Sequence, residues 1–467
     1  MASNVKVDKI TPTTNCGTVT LGDSGDTISI PSGASLSIGG SVSGIDGIVN
    51  WDTTAKTSGF TAVAGTGYFV NTTSAAITVT LPASPTAGDL VAVKDYAFTA
   101  DTNNITLARN GSNIQGTAND FLISTEGRSV TLIYVDATQG WLLTGASQKT
   151  DIITPQYVTA TGGTITTCGD FKVHTFTSPG TFCVSCAGNS DGSNSVDYFV
   201  VAGGGGGGAG GPGSSIPGAG GGAGGFRVSN STCMPAPTTS PLANPTGLPV
   251  SVTAYPITVG GGGAAGIGTV PRVPGINGSN SVFSTITSAG GGGGGTRDNS
   301  PETGLAGGSG GGSAGTCNVT GAAGNTPPVS PPQGNPGGRS ATSPGVGKMS
   351  AGGGGAGAAG GEGTPGPSLG GVGSFVVQSG FAGCNGTPGP VGSTKYFSGG
   401  GGVGASPTYS STAGGAGGGG PGGTPSTAGT AGTTNTGGGG GAGSASNGPA
   451  IAGAGGSGIV IIRYKYQ

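Results

Sequence analysis

The 467-residue chain holds 110 Gly and 31 Pro but only 16 basic and 18 acidic residues, with a single His and a formal charge of −2. A helical protein is excluded, because an interior helix position costs about 1 kcal/mol for Gly and about 3 kcal/mol for Pro. The missing basic excess does not fit nucleic-acid binding, and the scarcity of acids, bases and His does not fit an ordinary hydrolase. So much Gly and Pro without a strict triplet is the composition of disorder, yet disorder ordinarily brings high net charge, which is absent here.

The glycines are unevenly spread: residues 1–200 hold 23 and residues 201–467 hold 87. The first residues lack the apolar stretch of a secretory leader, and no run approaches the ~20 apolar residues of a membrane span. Seven cysteines, an odd number, fit a chain made in a reducing cytosol. Sequons such as those at Asn71 and Asn277 then reflect only composition. Three parts are expected: residues 1–50 as an attachment or stalk segment, 51–150 as a small β domain, and 151–467 as a glycine-rich domain.

Within residues 16–42 the apolar pairs Val19/Leu21, Ile28/Ile30 and Leu36/Ile38 alternate with Ser or Thr and close on Gly, Asp or Pro. That is a repeated period-two strand with turn punctuation. One such ribbon has too few apolar groups to bury a core alone. Three copies wound about one axis could do so, which predicts a homotrimer.

Residues 51–148 predict strands at 67–71, 76–81, 90–93, 104–107, 121–124, 129–135 and 141–144, separated by Ser84-Pro85, Asn110-Gly111 and Thr125-Glu126-Gly127. The expectation is a small antiparallel β domain, with Trp51 and Trp141 as packing anchors. Further on, 171–176 and 181–186 flank Ser178-Pro179-Gly180, which reads as a hairpin. The strand 196–202 then runs straight into six glycines. Similar strand-into-glycine joins recur after 249–259 and 281–287. The chain closes on a strong strand, with Val460, Ile462, Tyr464 and Tyr466 on one face and Ile459 and Ile461 on the other.

About ten glycine excursions follow: 203–211, 218–225, 260–268, 290–295, 304–315, 351–363, 398–404, 414–423, 437–443 and 453–458. Gly-rich tracts are ordinarily flexible linkers. These instead have similar lengths, almost no charge, and strands or Ser/Thr/Pro loops at their ends. They fit polyglycine II, extended threefold helices whose N–H and C=O groups point sideways to neighbours. Gly is needed wherever two such helices touch. A backbone hydrogen bond contributes about 1 kcal/mol net, against about 1–2 kcal/mol to order a residue. Only a bundle in which each helix has several neighbours could hold. The fold class is therefore all-β, a β core carrying packed polyglycine II helices.

Candidate chemistry is sparse. Cys183-x2-Cys186 with Cys168 and His174 nearby has zinc-like spacing, but i and i+3 of a strand point to opposite faces. These thiols read as buried or idle. Gly345-Val-Gly347-Lys348-Met349 lacks the Ser or Thr of a phosphate loop. No paired carboxylates are recognisable, so no catalytic residue, metal or cofactor is expected.

The runs Gly67-Tyr-Phe-Val-Asn and Ile77-Thr-Val-Thr-Leu-Pro-Ala-Ser-Pro-Thr-Ala-Gly-Asp89, with Asn110-Gly-Ser-Asn-Ile114 and Leu132-Ile-Tyr-Val-Asp-Ala-Thr-Gln-Gly-Trp141, resemble a β module of phage tail-fibre proteins. The segment from Val173-His-Thr-Phe-Thr-Ser-Pro-Gly-Thr-Phe182 through Val196-Asp-Tyr-Phe-Val-Val-Ala202, with the closing Gly455-Gly-Ser-Gly-Ile-Val-Ile-Ile-Arg-Tyr464, resembles the glycine-rich C-terminal domain of such fibres, frequent in marine phages. The resemblance covers most of residues 60–467. In composition the excursions are also similar to the distal adhesins of some T-even-like phages. Those adhesins ride on a separate fibre, whereas this chain carries its own stalk-like segment.

The resemblance implies a virion protein released by lysis. It would dock on other tail proteins through its N-terminal segment and bind a host surface glycan or outer-membrane protein, not nucleic acid. Glycine offers a ligand little but backbone, so specificity is expected in connecting loops at Arg297, Asp298, Arg339, Lys395, Tyr396, Phe397 and Tyr409. A competing reading makes Tyr396 and Phe397 plugs of the bundle edge. At the level of the whole chain, the alternatives are a purely structural fibre or decoration protein and an antifreeze-like or wall-type protein.

Overall fold

The computed structural model describes residues 49–144, 154–211, 216–231, 239–269, 271–297, 302–315, 318–343, 347–364, 368–445 and 451–467. The repeats at 16–42, and with them the basis for a trimer, lie outside these residues. The chain divides into two compact units, Met1–Ile153 and Thr154–Gln467. It is all-β, and no helix among the described residues is long and apolar enough to cross a membrane.

The first unit contains β1 (Asn50–Lys56), β2 (Phe60–Thr61), β3 (Thr66–Val70), β4 (Ile77–Thr80), β5 (Leu90–Asp95), β6 (Ile105–Ala108), β7 (Phe121–Ile123), β8 (Ser129–Asp136) and β9 (Gly140–Leu143). They form two sheets, β1-β3-β5-β8-β9 and β2-β4-β6-β7, with β1 to β6 falling alternately into one and the other. The pairs β1–β3, β3–β5, β2–β4 and β4–β6 are parallel, so three successive coils stack in register, with Asn50 beside Thr66 and Thr66 beside Val91. Only β6–β7, β5–β8 and β8–β9 are antiparallel. The expected antiparallel domain is thus a short β-solenoid closed by antiparallel strands. Period-two alternation marks which face of a strand is buried but carries no sign of its direction.

Val79, Leu81, Val91, Val93, Ile105, Leu107, Phe121 and Trp141 fill the interior between the two sheets. Trp141 is a packing anchor, as expected. Trp51 is not: it sits on the edge strand β1, 37% exposed, with its ring 4.9 Å from Phe69.

The second unit begins with β10 (Val158–Thr161), β11 (Thr164–Cys168), β12 (Phe171–Phe176), β13 (Gly180–Ala187), β14 (Ser195–Val201), β15 (Phe226–Ser229), β16 (Ala243–Asn244), β17 (Leu248–Pro249), β18 (Ala254–Thr258), β19 (Ser281–Phe283) and β20 (Ile286–Ser288). It continues through β21 (Ala341–Ser343), β22 (Gly347–Met349), β23 (Ser374–Val377), β24 (Thr394–Phe397) and β25 (Ile459–Lys465). A seven-stranded sheet has the order β11-β12-β25-β14-β15-β16, with β17 also on β14. A five-stranded sheet has the order β10-β13-β18-β19-β20.

Two expectations need correction. β12 and β13 lie in different sheets, so Ser178-Pro179-Gly180 is a crossing between sheets and not a hairpin turn. The apparent strand 281–287 is a hairpin, broken where Ser284 takes φ 52°.

β14 and β25 pair at the centre of the larger sheet and are buried on both faces. Tyr198, Val200, Val460, Ile462 and Tyr464 pack with Phe182, Ile257 and Phe283 of the smaller sheet. Phe199, Val201, Ile459 and Ile461 pack on the other side with Phe226, Phe381 and Phe397. The two faces of β25 are those its alternation foretold.

The glycine runs leave the ends of these strands and form a hydrogen-bonded lattice. Gly203 and Gly206 donate to Ser279 and Ile276, Gly204 and Gly207 to Gly456 and Gly453, and Gly205 and Gly208 to Gly222 and Ala219. Their carbonyls accept from Gly291 and Gly294, Gly263 and Gly266, and Gly440 and Gly443. Every third residue therefore meets the same neighbour, as a three-residue turn requires. The run 203–208 has six neighbours, three antiparallel and three parallel, with all twelve of its backbone groups paired. Run 218–225 is surrounded in the same way, bonding to 289–295, 351–354, 437–443, 202–208, 309–312 and Gly401.

A Cβ at Gly205 would lie well inside 3.0 Å of the Gly292 carbonyl, and one at Gly353 would meet the carbonyl of Gly221. Close approach, not turn geometry, fixes these residues as glycine.

Each lattice bond is shared by two runs, so six residues gain about six bonds. At about 1 kcal/mol per bond against about 1–2 kcal/mol of ordering, the lattice alone roughly breaks even. The β-sandwich tips the balance. One N–H···O bond sets the spacing in both materials, about 4.7–4.9 Å between strands, so β14, β15 and β25 continue into the lattice as neighbours. Ser281 ties the joint: its hydroxyl accepts from Gly260 N–H (2.9 Å) and donates to the Val201 carbonyl (2.7 Å).

Candidate functional site

The lattice has a sheet-side end, near Gly203, Ala289 and Gly437, and a distal end, near Ala209, Gly218, Gly295 and Gly443. The residues singled out from the sequence divide between the two. Arg297 is distal, since its neighbour Thr296 donates to the Ala209 carbonyl (2.7 Å). Arg339 follows Gly338, whose carbonyl accepts from Ser313, beside Ala351 and Gly220. Its guanidinium pairs with Glu362 at 3.5 Å, both side chains about half exposed. Tyr409 lies in the loop after Ala405, which accepts from Ala445, and its carbonyl accepts from Ser406 N–H (3.0 Å). Asp298 lies outside the described residues.

Lys395, Tyr396 and Phe397 occupy β24 at the sheet-side end. Phe397 has no exposed surface and stands edge-on to Phe199 at 4.8 Å. Tyr396 is also buried, 5.3 Å from Phe375. These two rings pack the core and present no face to a ligand, which matches the edge-plug alternative. Lys395, just before them, is half-buried.

A distal groove of about 380 Å³ surrounds Tyr409, with Ser406, Thr408, Ser411 and Thr424 supplying hydroxyls and Pro407 and Pro425 forming apolar rims. Hydroxyl contacts brace the walls: Ser406 with Thr408 (3.1 Å) and Thr424 with Thr427 (2.8 Å). Burial pushes the Tyr409 phenol up to about 12, against the backbone of Ser350 and the hydroxyl of Ser406, which pull the other way. It therefore stays a neutral hydroxyl, with its oxygen buried beneath the groove. The groove offers hydroxyls, one aromatic ring and no charge. The stretch Ser406–Thr412 between two glycine runs was visible in the sequence, but nothing in its spacing marked a concave surface.

The thiols were expected to be buried or idle. Cys183 and Cys384 are exposed, and Cys168 and Cys186 partly so. Among the described residues no three His, Cys, Asp or Glu side chains stand together as metal ligands.

Residues 177–465, well over half of the chain, match a family described as a glycine-rich domain. The chain belongs to that glycine-rich domain family. No curated protein matches it. The matched stretch runs from the turn before β13 to the last residue of β25, so the family domain comprises most of the sandwich and the whole lattice.

The sandwich of this glycine-rich domain holds two buried polar centres. Asp197 pairs with Arg463 at 2.8 Å, and its other oxygen accepts from the Ser229 hydroxyl (2.9 Å) and from Ser231 N–H (2.8 Å). Burial alone would raise the Asp197 carboxyl, but Arg463 and Ser231 hold it below the usual range. The Arg463 guanidinium lies 4.9 Å from the Phe171 ring and 4.8 Å from that of Phe381. Nearby, His174 Nδ1 is 2.7 Å from the Gly162 carbonyl, so it carries the proton. Nε2 then accepts from the Tyr464 hydroxyl (3.1 Å), which itself accepts from Ala160 N–H (3.1 Å).

Proposed function

We propose that this chain is a phage tail-fibre protein that attaches to the host surface through the distal loops of its glycine-rich domain. The observation that carries the reading is the six-neighbour lattice. It gives a rigid, almost chargeless body that offers no side chain along the run 203–208 and only the buried methyls of Ala219 and Ala223 along 218–225. Directional chemistry collects in the loops at its distal end, around Tyr409, Arg297 and Arg339. The resemblance of the N-terminal unit to tail-fibre modules supports the same reading. In it the chain is a virion component made in the host cytoplasm and released by lysis. Residues 1–50 dock it on other tail proteins and assemble it as a homotrimer.

Adsorption tests the proposal. Purified full-length protein should compete with the parent phage for host cells, and Tyr409→Ala should lose competition while remaining soluble and protease-resistant. Failure of the unmodified protein to compete at saturating concentration would favour a purely structural fibre or decoration protein.

A further inference from the structure

A larger open groove, of about 840 Å³, lies at the sheet-side end of the glycine-rich domain, over the edge of the seven-stranded sheet. We propose that it is a binding site for an uncharged oligosaccharide. Its volume falls within the roughly 300–1,000 Å³ of small-ligand sites. Its floor is the face of the β11–β12 ribbon. Thr164 stands opposite Thr175 in register and Thr166 opposite Val173, with Thr177 one step beyond. The four threonines form a grid, with steps of about 4.5–5.5 Å across the strands and about 6.6–6.8 Å along them. The facing wall is the segment from Val377 to Asn385, which brings the exposed amide of Gln378 and the exposed hydroxyl of Ser379.

None of the sixteen lining residues is charged. A charged ligand would lose its hydration here without a partner. Hydroxyls and amides that both donate and accept suit a ligand whose own hydroxyls do the same. Between them the partly exposed Val377 and the threonine methyls give an apolar strip for the C–H face of a sugar ring. An extended peptide adding to the sheet would pair with the open edge of β11, whereas this groove lies over the face of both strands.

The wall is also held in place. Phe381, at its centre, is 2% exposed and packs against Phe199 at 6.2 Å and under the Arg463 guanidinium, which Asp197 fixes. The buried ion pair thus pre-positions the groove, so little ordering is left for binding to supply. The groove shares no residue with the distal loops, so either site can be lost with the other intact.

Two thiols in the groove, Cys168 and Cys384, give a direct readout, and the exposed Cys183 on β13 serves as an internal reference. Full-length protein is incubated with neutral glucans, mannans and galactans of three to six residues, and in parallel with sialylated and uronic-acid oligosaccharides and with unstructured peptides. Maleimide labelling of each cysteine is then followed by peptide mass mapping. At least one neutral oligosaccharide should slow labelling of Cys384 and Cys168 tenfold or more while leaving Cys183 unchanged. Thr166→Lys and the milder Thr175→Val should each weaken that protection at least tenfold without changing Tm, and Tyr409→Ala should not alter it. Protection by no neutral oligosaccharide, protection by the acidic sugars or peptides instead, or protection that survives both threonine substitutions would overturn the assignment.

Discussion

The solenoid unit and the glycine-rich domain reach a packed interior by opposite means. Between the sheets of the first, Leu81, Ile105, Phe121 and Trp141 interdigitate, and backbone bonding stays within each sheet. In the lattice around Gly205 there are no side chains to interdigitate, and backbone bonds run outward in six directions. A side-chain core can lose a methyl group and keep its shape, because its neighbours relax into the gap. A backbone core cannot take one in, since each neighbouring carbonyl is already at bonding distance. The first material is graded in its response to substitution; the second is close to all-or-none.

Substitution at the two cores tests this contrast most strongly. Gly205→Val or Gly353→Val should cost more than about 4 kcal/mol and abolish the folded second unit, read as loss of its calorimetric transition and rapid cleavage after Arg227 and Arg272. A domain that keeps its transition would refute the lattice. Leu81→Ala in the first unit should cost about 2–5 kcal/mol and leave the second unit's transition in place. Asp197→Ala should cost about 3–5 kcal/mol in the second unit, because it leaves Arg463 buried without its carboxylate; chemical denaturation reads this directly.

The units should also differ in acid. His174 is the chain's one histidine, and burial holds it below its usual range, with the Gly162 carbonyl opposing and Lys172 reinforcing that effect. The unfolded chain takes up the proton near pH 6.5 and the folded domain only lower. Its contribution is therefore full above about pH 6.5 and is lost as pH falls towards the depressed value, by up to about 1.4 kcal/mol per pH unit. Tm of the second unit should fall between pH 7.5 and 5.5, and His174→Gln should flatten that fall.

The smallest effect is expected at Arg339→Ala. Its half-exposed pair with Glu362 should matter by less than about 0.5 kcal/mol, and only adsorption should respond.

Much of the fold was legible because alternation reports burial. Strands β3 to β9, β12 to β14 and the two buried faces of β25 could be read from apolar spacing, whereas β1, β10, β11, β15 and β24, short or rich in Thr and Ser, carried no such signal. The join of strand to glycine after Val201 was legible too, because composition changes there within one residue. Strand direction was not, since Thr66–Val70 reads alike in a parallel or an antiparallel ladder. Nor was the sheet to which β13 belongs, since a Ser-Pro-Gly turn can close a hairpin or cross a sandwich. The burial of Phe397 was not legible, because β24 is only four residues long and its packing against Phe199 joins residues far apart in sequence. The threonine grid was not legible either, because it depends on the β11–β12 register, which no single strand displays.

The lateral bonding of the lattice has a mechanical consequence. An α-helix pulled along its axis opens its bonds one after another, because each lies along the line of force. In the run 203–208 every bond lies across that line, shared among six neighbours, so an axial pull loads them together in shear. The three antiparallel and three parallel neighbours also let loads enter from either end. The domain is built like a short rope in which the strands grip one another along their whole length, and it should yield by the slip of an entire run, not by unravelling from a free end.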